Sequence, residues 1–180
     1  MAITRLNNNS ASSITSLSGL TSLPSGLTDV NTPVFTAYMT SNQTSFPQGT
    51  WTKIQFNSTF IDTDSAFNTS THRFVVPSGK GGKYFIHGQV HYFGFGGGNT
   101  NNDAYYAMIY KNGVQGHLHQ VGQEPDINYN GVAVAHIMDL VAGDYIELYG
   151  YTDQQTGTGD ISGGTGPDHR TFFEGFKLTD

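Results

Sequence analysis

The sequence contains no cysteine. Disulfide staples, thiolate metal centres and cysteine nucleophiles are therefore excluded, while the compartment is left open. Charge is scarce as well. Only 12% of the residues are Asp, Glu, Lys or Arg, about half the usual share, and 8 basic against 14 acidic residues leave a net charge of −6. Gripping nucleic acid phosphates needs clustered Lys and Arg, so no nucleic-acid partner is expected. No run approaches the roughly 18 apolar residues of a membrane-spanning helix, and no membrane partner is expected either. The opening Met1-Ala2-Ile3-Thr4-Arg5 lacks a basic segment followed by an apolar run, so no secretory signal is read there. The glycines follow no Gly-X-Y period, which excludes a collagen stalk, and there is no internal repeat.

What is present falls into two zones. Residues 1–32 hold one charge pair, Arg5 and Asp29, no aromatic residue, and mostly Ser, Thr and Asn. Their apolar positions are sparse: Leu6, Ile14, Leu17, Leu20, Leu23 and Leu27. The spacing from Ile14 onward could form one stripe of a helix, but Gly19, Pro24, Gly26 and the many hydroxyl residues disfavour a free one. Burying six aliphatic side chains does not offset the entropy of fixing about 30 backbones. The zone is expected to be an anchoring arm docked on a partner, with a flexible linker as the other reading.

Residues 33–180 are rich in aromatic and β-branched residues, in short runs separated by Gly, Asn and Asp clusters. That pattern predicts many short strands, near 34–40, 51–57, 72–76, 82–93, 104–111, 114–121, 131–138, 144–151 and 170–178. Lys111-Asn112-Gly113 between two such runs predicts a two-residue hairpin, because Asn-Gly tolerates the positive φ of a type I′ turn. Ala142-Gly143-Asp144 is a second turn, and 95–102 and 154–168 read as Gly-rich loops. No helix pattern of any length occurs there. The expected fold is all-β, a jelly-roll β-sandwich.

The order of several short motifs resembles the globular head of complement C-one-q, within the tumour-necrosis-factor-like jelly-roll superfamily. These are Ile54-Gln55-Phe56-Asn57, Phe74-Val75-Val76-Pro77, Gly82-Lys83-Tyr84-Phe85, Lys111-Asn112-Gly113, the Leu140 to Leu148 segment with Gly143-Asp144, and the closing Phe173-Glu174-Gly175-Phe176. The resemblance covers about 34–178 and implies a family core of Phe56, Phe67, Phe74, Tyr84, Phe173 and Phe176. It also implies a homotrimer packed around a threefold axis through one sheet. Two extra residues between Pro77 and Gly82, and Ile86 and Gly88 where aromatics are expected, depart from the family pattern. The start Met-Ala-Ile-Thr-Arg-Leu-Asn-Asn-Asn-Ser, a short arm and a single head resemble small structural proteins of bacteriophages.

Few residues suggest chemistry. His117 and His119 share a strand face, a geometry that can hold a transition metal, though a polar strand face reads equally well; no metal and no cofactor are expected. His87 and His91 share another face and read as packing or interface residues. Asp153, Asp160 and Asp168 flank a Gly-rich loop, and Asp103 and Asp126 lie in others. Some members of the family bind calcium, but these spacings fit no defined calcium loop. Asp62 and Asp64 share a strand face but sit in the family's variable loop, which argues against a glycosidase pair. Tyr105, Tyr106, Tyr149 and Tyr151 could present rings to a sugar or pack in a core. Phe93-Gly94-Phe95-Gly96-Gly97-Gly98 has the glycines of a phosphate loop without its Lys-Ser/Thr. There is no Gly-x-Ser-x-Gly elbow and no His-Glu-x-x-His helix, so no enzyme is expected.

The expected role is a non-enzymatic virion component assembled in the host cytoplasm: a trimeric capsid decoration (cement) protein held by its arm to the major capsid protein or another virion component. The alternatives are a tail fibre or receptor-binding tip whose loops 95–102 and 153–169 read host glycans, or a secreted trimeric ligand-binding module.

Overall fold

The computed structural model describes residues 31–94, 104–122, 129–153, 159–164 and 169–179. Among them every regular element is a strand. In chain order these are β1 (Val34–Tyr38), β2 (Gln43–Phe46), β3 (Thr52–Lys53), β4 (Ser58–Asp62), β5 (Phe67–Asn68), β6 (Arg73–Val75), β7 (Gly82–Phe93), β8 (Ala104–Lys111), β9 (Val114–Gly122), β10 (Tyr129–Leu140), β11 (Tyr145–Thr152), β12 (Gly159–Ile161) and β13 (Phe172–Thr179).

Two antiparallel sheets form. The first has β7 at its heart, flanked by β10 on one side and by β13, β1 and β4 on the other. β12 pairs with the far end of β7 and carries β2. The second runs β5-β6-β11-β8-β9, with β3 also on β11. Because strand side chains alternate, each sheet turns one set inward. Tyr84, Ile86, Val90 and Tyr92 of β7 and Phe173 of β13 meet Ile109 of β8 and Ile146 and Leu148 of β11, all essentially without exposure. A knot of phenylalanines fills the centre: Phe35 stacks on Phe74 at 4.5 Å and meets Phe173 edge-on at 5.4 Å, while Phe56 stacks on Phe173 at 5.9 Å. Each such buried ring contributes roughly 1.5–3 kcal/mol. Gly88, where an aromatic is expected, faces the same core; a Cβ there would lie 2.8 Å from Leu148 and 3.1 Å from Phe173, which have taken the space.

The hairpin between β8 and β9 closes at Asn112 (φ 53°) and Gly113 (φ 76°), the twin positive angles of a type I′ turn. Asn112 also ties that hairpin to the Ala142-Gly143-Asp144 turn. Its amide donates to Asp144 Oδ1 at 2.7 Å, and its Oδ1 accepts from the Tyr145 N–H at 2.9 Å.

Four strands depart from the sequence expectation. β2, β4 and β5 form in stretches read as connections, and β12 forms inside the 154–168 segment read as loop. β12 alternates Gly159 and Ile161 inward against β2 and the end of β7, so its partners make it a strand rather than its composition. Conversely, only Thr52–Lys53 of the 51–57 run enters a ladder. Ile54 beyond it is held by a single bond to the Leu148 carbonyl.

Candidate functional site

The side chains of the first sheet that do not enter the core emerge on its outer face. The ladders set them in rows. Val34, Phe176, Phe85 and Ile137 lie side by side; Thr36, Glu174, His87 and Ala135 form the next row; Tyr38, Phe172, Gln89 and Ala133 the third. A register shift between Thr36 and Ala37 leaves Phe60 without a ladder partner in β4, and its ring stacks on Tyr38 at 4.3 Å. His169 lies edge-on to both rings.

This face is apolar and open. Phe60 and Ile137 are each 57% exposed, Ile61 48% and Phe176 37%. Contiguous apolar surface of this kind marks an interaction site. Polar side chains interrupt it, namely Thr36, Gln89 and the pair of His87 and Glu174, whose Nδ1 and Oε1 lie 3.0 Å apart with Phe172 edge-on to the imidazole at 5.1 Å. A groove of about 180 Å³ runs beside that pair, between Val34, Thr36, Phe85, Glu174 and Phe176. Further along β7, His91 Nδ1 is buried and has no hydrogen-bond partner among the described residues. Burial, and then the nearby Arg170, hold this imidazole below the usual histidine range.

Phe56, Phe67, Phe74, Tyr84 and Phe173 lie in the core. Phe176 does not; it stands on the outer face, as part of the patch just described. The reason is parity. Phe173 and Phe176 are three apart in β13, and an odd separation puts two residues on opposite faces of a strand. Phe35, at the centre of the phenylalanine knot, carries no motif of its own and was not expected there. The arm residues Leu6, Ile14, Leu17, Leu20, Leu23 and Leu27 lie outside the described residues, as do Asp103, Asp126, Asp168 and the 95–102 loop.

Other sequence candidates are engaged structurally. Asp62 accepts from the Ala66 and Phe67 amides at 2.8 and 3.1 Å, so it shapes the turn before β5. Asp153 accepts from the Ala104 amide at 2.5 Å and Asp160 from the Ser45 amide at 2.9 Å. His117 stacks flat on His136 of β10, centroids 4.1 Å apart and planes 7° apart. His119 lies opposite Ala107 and is exposed. No group of three or more His, Asp or Glu is placed to hold a metal ion among the described residues. Tyr105 is in the core, whereas Tyr106, Tyr149 and Tyr151 lie on the outer face of the second sheet.

No protein-family model matches this chain, and no curated protein matches it. Solved structures do. The crystal structure of murine APRIL at pH 5.0 is similar with a TM-score of 0.52 and 16% identity, over 81% of this chain and 98% of that one. At that identity the likeness speaks for the fold alone. Together with the two antiparallel sheets and their strand order, it makes the described part of this chain a tumour-necrosis-factor-like jelly roll.

Proposed function

We propose that this chain is a non-enzymatic virion structural protein, a bacteriophage capsid decoration protein. Its heads associate as homotrimers, and residues 1–32 anchor them to the major capsid protein or another virion component. The observation that supports association most directly is the outward set of Phe85, Phe172 and Phe176 together with exposed Phe60, Ile61 and Ile137 on one sheet face. A monomer would leave this surface in water, whereas three copies around an axis would bury it by closed symmetry. The His87–Glu174 pair would then be desolvated as a pair, which is tolerable only because each partner satisfies the other.

A non-catalytic role agrees with the use of Asp62, Asp153 and Asp160 as acceptors for backbone amides. The decoration role itself rests on the resemblance of the opening residues and short arm to phage structural proteins. Three linked arms bind with an avidity far beyond one arm, which suits a cement protein whose single contacts are weak.

Cryo-electron microscopy of the native particle is the test. Trimers on the capsid shell, with chain running from them between capsid subunits, are expected. Density confined to the tail would overturn the decoration role. In solution, sedimentation of the full chain should give a trimer that Phe176→Asp dissociates while leaving a folded head; a wild-type monomer would overturn the association.

A further inference from the structure

The outer face of the second sheet carries a different set of rings. Tyr151 pairs with Tyr106 and Tyr149 with Met108 across β11 and β8, with Tyr110 one place further along. Trp51, just before β3, packs beside them, tilted to Tyr151 (centroids 5.2 Å apart) and Tyr110 (6.4 Å) and edge-on to Tyr106 (6.0 Å). Tyr110 stacks on Tyr149 at 3.9 Å. Trp51, Tyr106, Tyr149 and Tyr151 are all only half-buried.

The chemistry of this platform is unlike that of the first sheet's outer face. There most rings are phenylalanines with no polar atom. Here every ring bears a hydroxyl or an indole N–H, the amphipathic combination suited to a ligand that is apolar on one side and hydrogen-bonding at its edge. One charge pair beside it is self-satisfied: Lys53 Nζ lies 2.7 Å from Glu147 Oε1 and also donates to the Thr71 carbonyl. Gln115 Nε2 donates to the Tyr110 hydroxyl at 3.1 Å, which holds that ring's edge in place. Burial raises the Tyr106 and Tyr149 phenols, aided by Asp153 and Glu147 respectively, so both remain donors at neutral pH.

We infer that Trp51, Tyr106 and Tyr151, with Tyr110 and Tyr149 behind them, form a binding platform for neutral glycans built of all-equatorial pyranose rings. Such a ring presents a flat face of C–H groups to an aromatic plane and a rim of hydroxyls to phenols and amides. An anion or cation finds no unpaired partner at the Lys53–Glu147 pair. A purely apolar partner would desolvate the Tyr106 and Tyr151 phenols without replacing their hydrogen bonds to water, a cost that a sugar edge avoids. The platform is independent of the association face and of the anchoring role, since it uses neither Phe176 nor residues 1–32.

Trp51 is the chain's single tryptophan, so intrinsic fluorescence reads this platform alone. The full chain would be titrated with cellotetraose and, separately, chitotetraose, following tryptophan emission and its quenching by acrylamide. A saturable blue shift with protection from acrylamide is expected for at least one. Tyr106→Ala and Tyr151→Ala should weaken binding about tenfold or more, the loss of about 1.4 kcal/mol. Phe176→Asp should bind as the wild type does, even if it no longer assembles, so failure of the assembly reading and failure of this one are distinguishable. Should either alanine variant fold poorly, Tyr151→Phe keeps the ring and removes only the rim hydroxyl, and a several-fold loss is expected. Absence of saturable change with both sugars at millimolar concentration, with the indole N–H resonance equally unmoved by NMR, would overturn the inference. So would unweakened binding by folded Tyr106→Ala, or burial of Trp51 by a second copy of the chain on concentration without sugar.

Discussion

The Tyr92 hydroxyl occupies the space that a side chain at Gly150 would need. Tyr92 belongs to the first sheet, but its hydroxyl donates to the Tyr106 carbonyl at 2.5 Å and accepts from the Tyr151 N–H at 3.0 Å, both in the second. Burial pushes this phenol far above the usual tyrosine range, so it stays protonated. One side chain thus bridges the two sheets, and a glycine makes room for it.

Two substitutions test that bridge. Tyr92→Phe leaves a buried carbonyl and N–H unpaired and should cost about 1–3 kcal/mol. Gly150→Ala should cost a similar amount by crowding the hydroxyl and the Phe46 ring. The double variant should be less damaged than the sum, because removing the hydroxyl removes part of the clash. Denaturant unfolding of the four proteins measures the coupling; strict additivity would show that the hydroxyl and position 150 do not compete.

Asp144 supplies a pH dependence. Burial by itself would raise its carboxyl, but hydrogen bonds from Lys111, Asn112 and the Val141 N–H outweigh that and hold it at about 2. In the unfolded chain the same group titrates near its ordinary value of about 3.9. Its contribution is therefore complete above pH 4 and is lost as pH falls toward 2. The stability gap between wild type and Asp144→Asn, about 1–3 kcal/mol at neutral pH, should close over that interval. A gap that persists unchanged at pH 2 would refute the assignment.

The stacked imidazoles give the same sign in a higher pH range. Burial, and then the facing His117, lower the His136 pKa. As pH drops below about 6.5 the unfolded chain accepts a proton that the folded chain resists, and stability declines until the folded value is passed. His117→Gln should raise the His136 titration midpoint in an NMR pH series, though not fully to the model-peptide value, because burial remains. An unmoved midpoint would mean that the two rings do not interact in solution.

These sites differ in how far they can be read without coordinates. β7 was legible to the residue, because inward Tyr84, Ile86, Val90 and Tyr92 keep a period of two, interrupted only by Gly88, between Gly82 and Phe93. The Asn112-Gly113 turn was legible because its positive φ demands that chemistry. β12 was not. Three residues in a Gly- and Thr-rich stretch become a strand only because β2 and the end of β7 offer edges there. The outward position of Phe176 was present in the sequence as parity with Phe173, but the motif that links the two suggested a shared core. His136 lies on a strand that only the topology brings against His117, and Trp51 reaches Tyr106 and Tyr151 for the same reason. Local pattern reports which face a residue takes; non-local pairing decides what it meets there.

The central position of β13, between β1 and β7, has a consequence for biosynthesis. The chain leaves the ribosome at about 5–20 residues per second, N-terminal part first. Until residues 172–179 arrive, both β1 and β7 present open edges, each a template for a foreign strand. A chain that lacks residues 172–179 therefore keeps both edges open and cannot close into a smaller head, because β13 is the strand that joins β1 to β7.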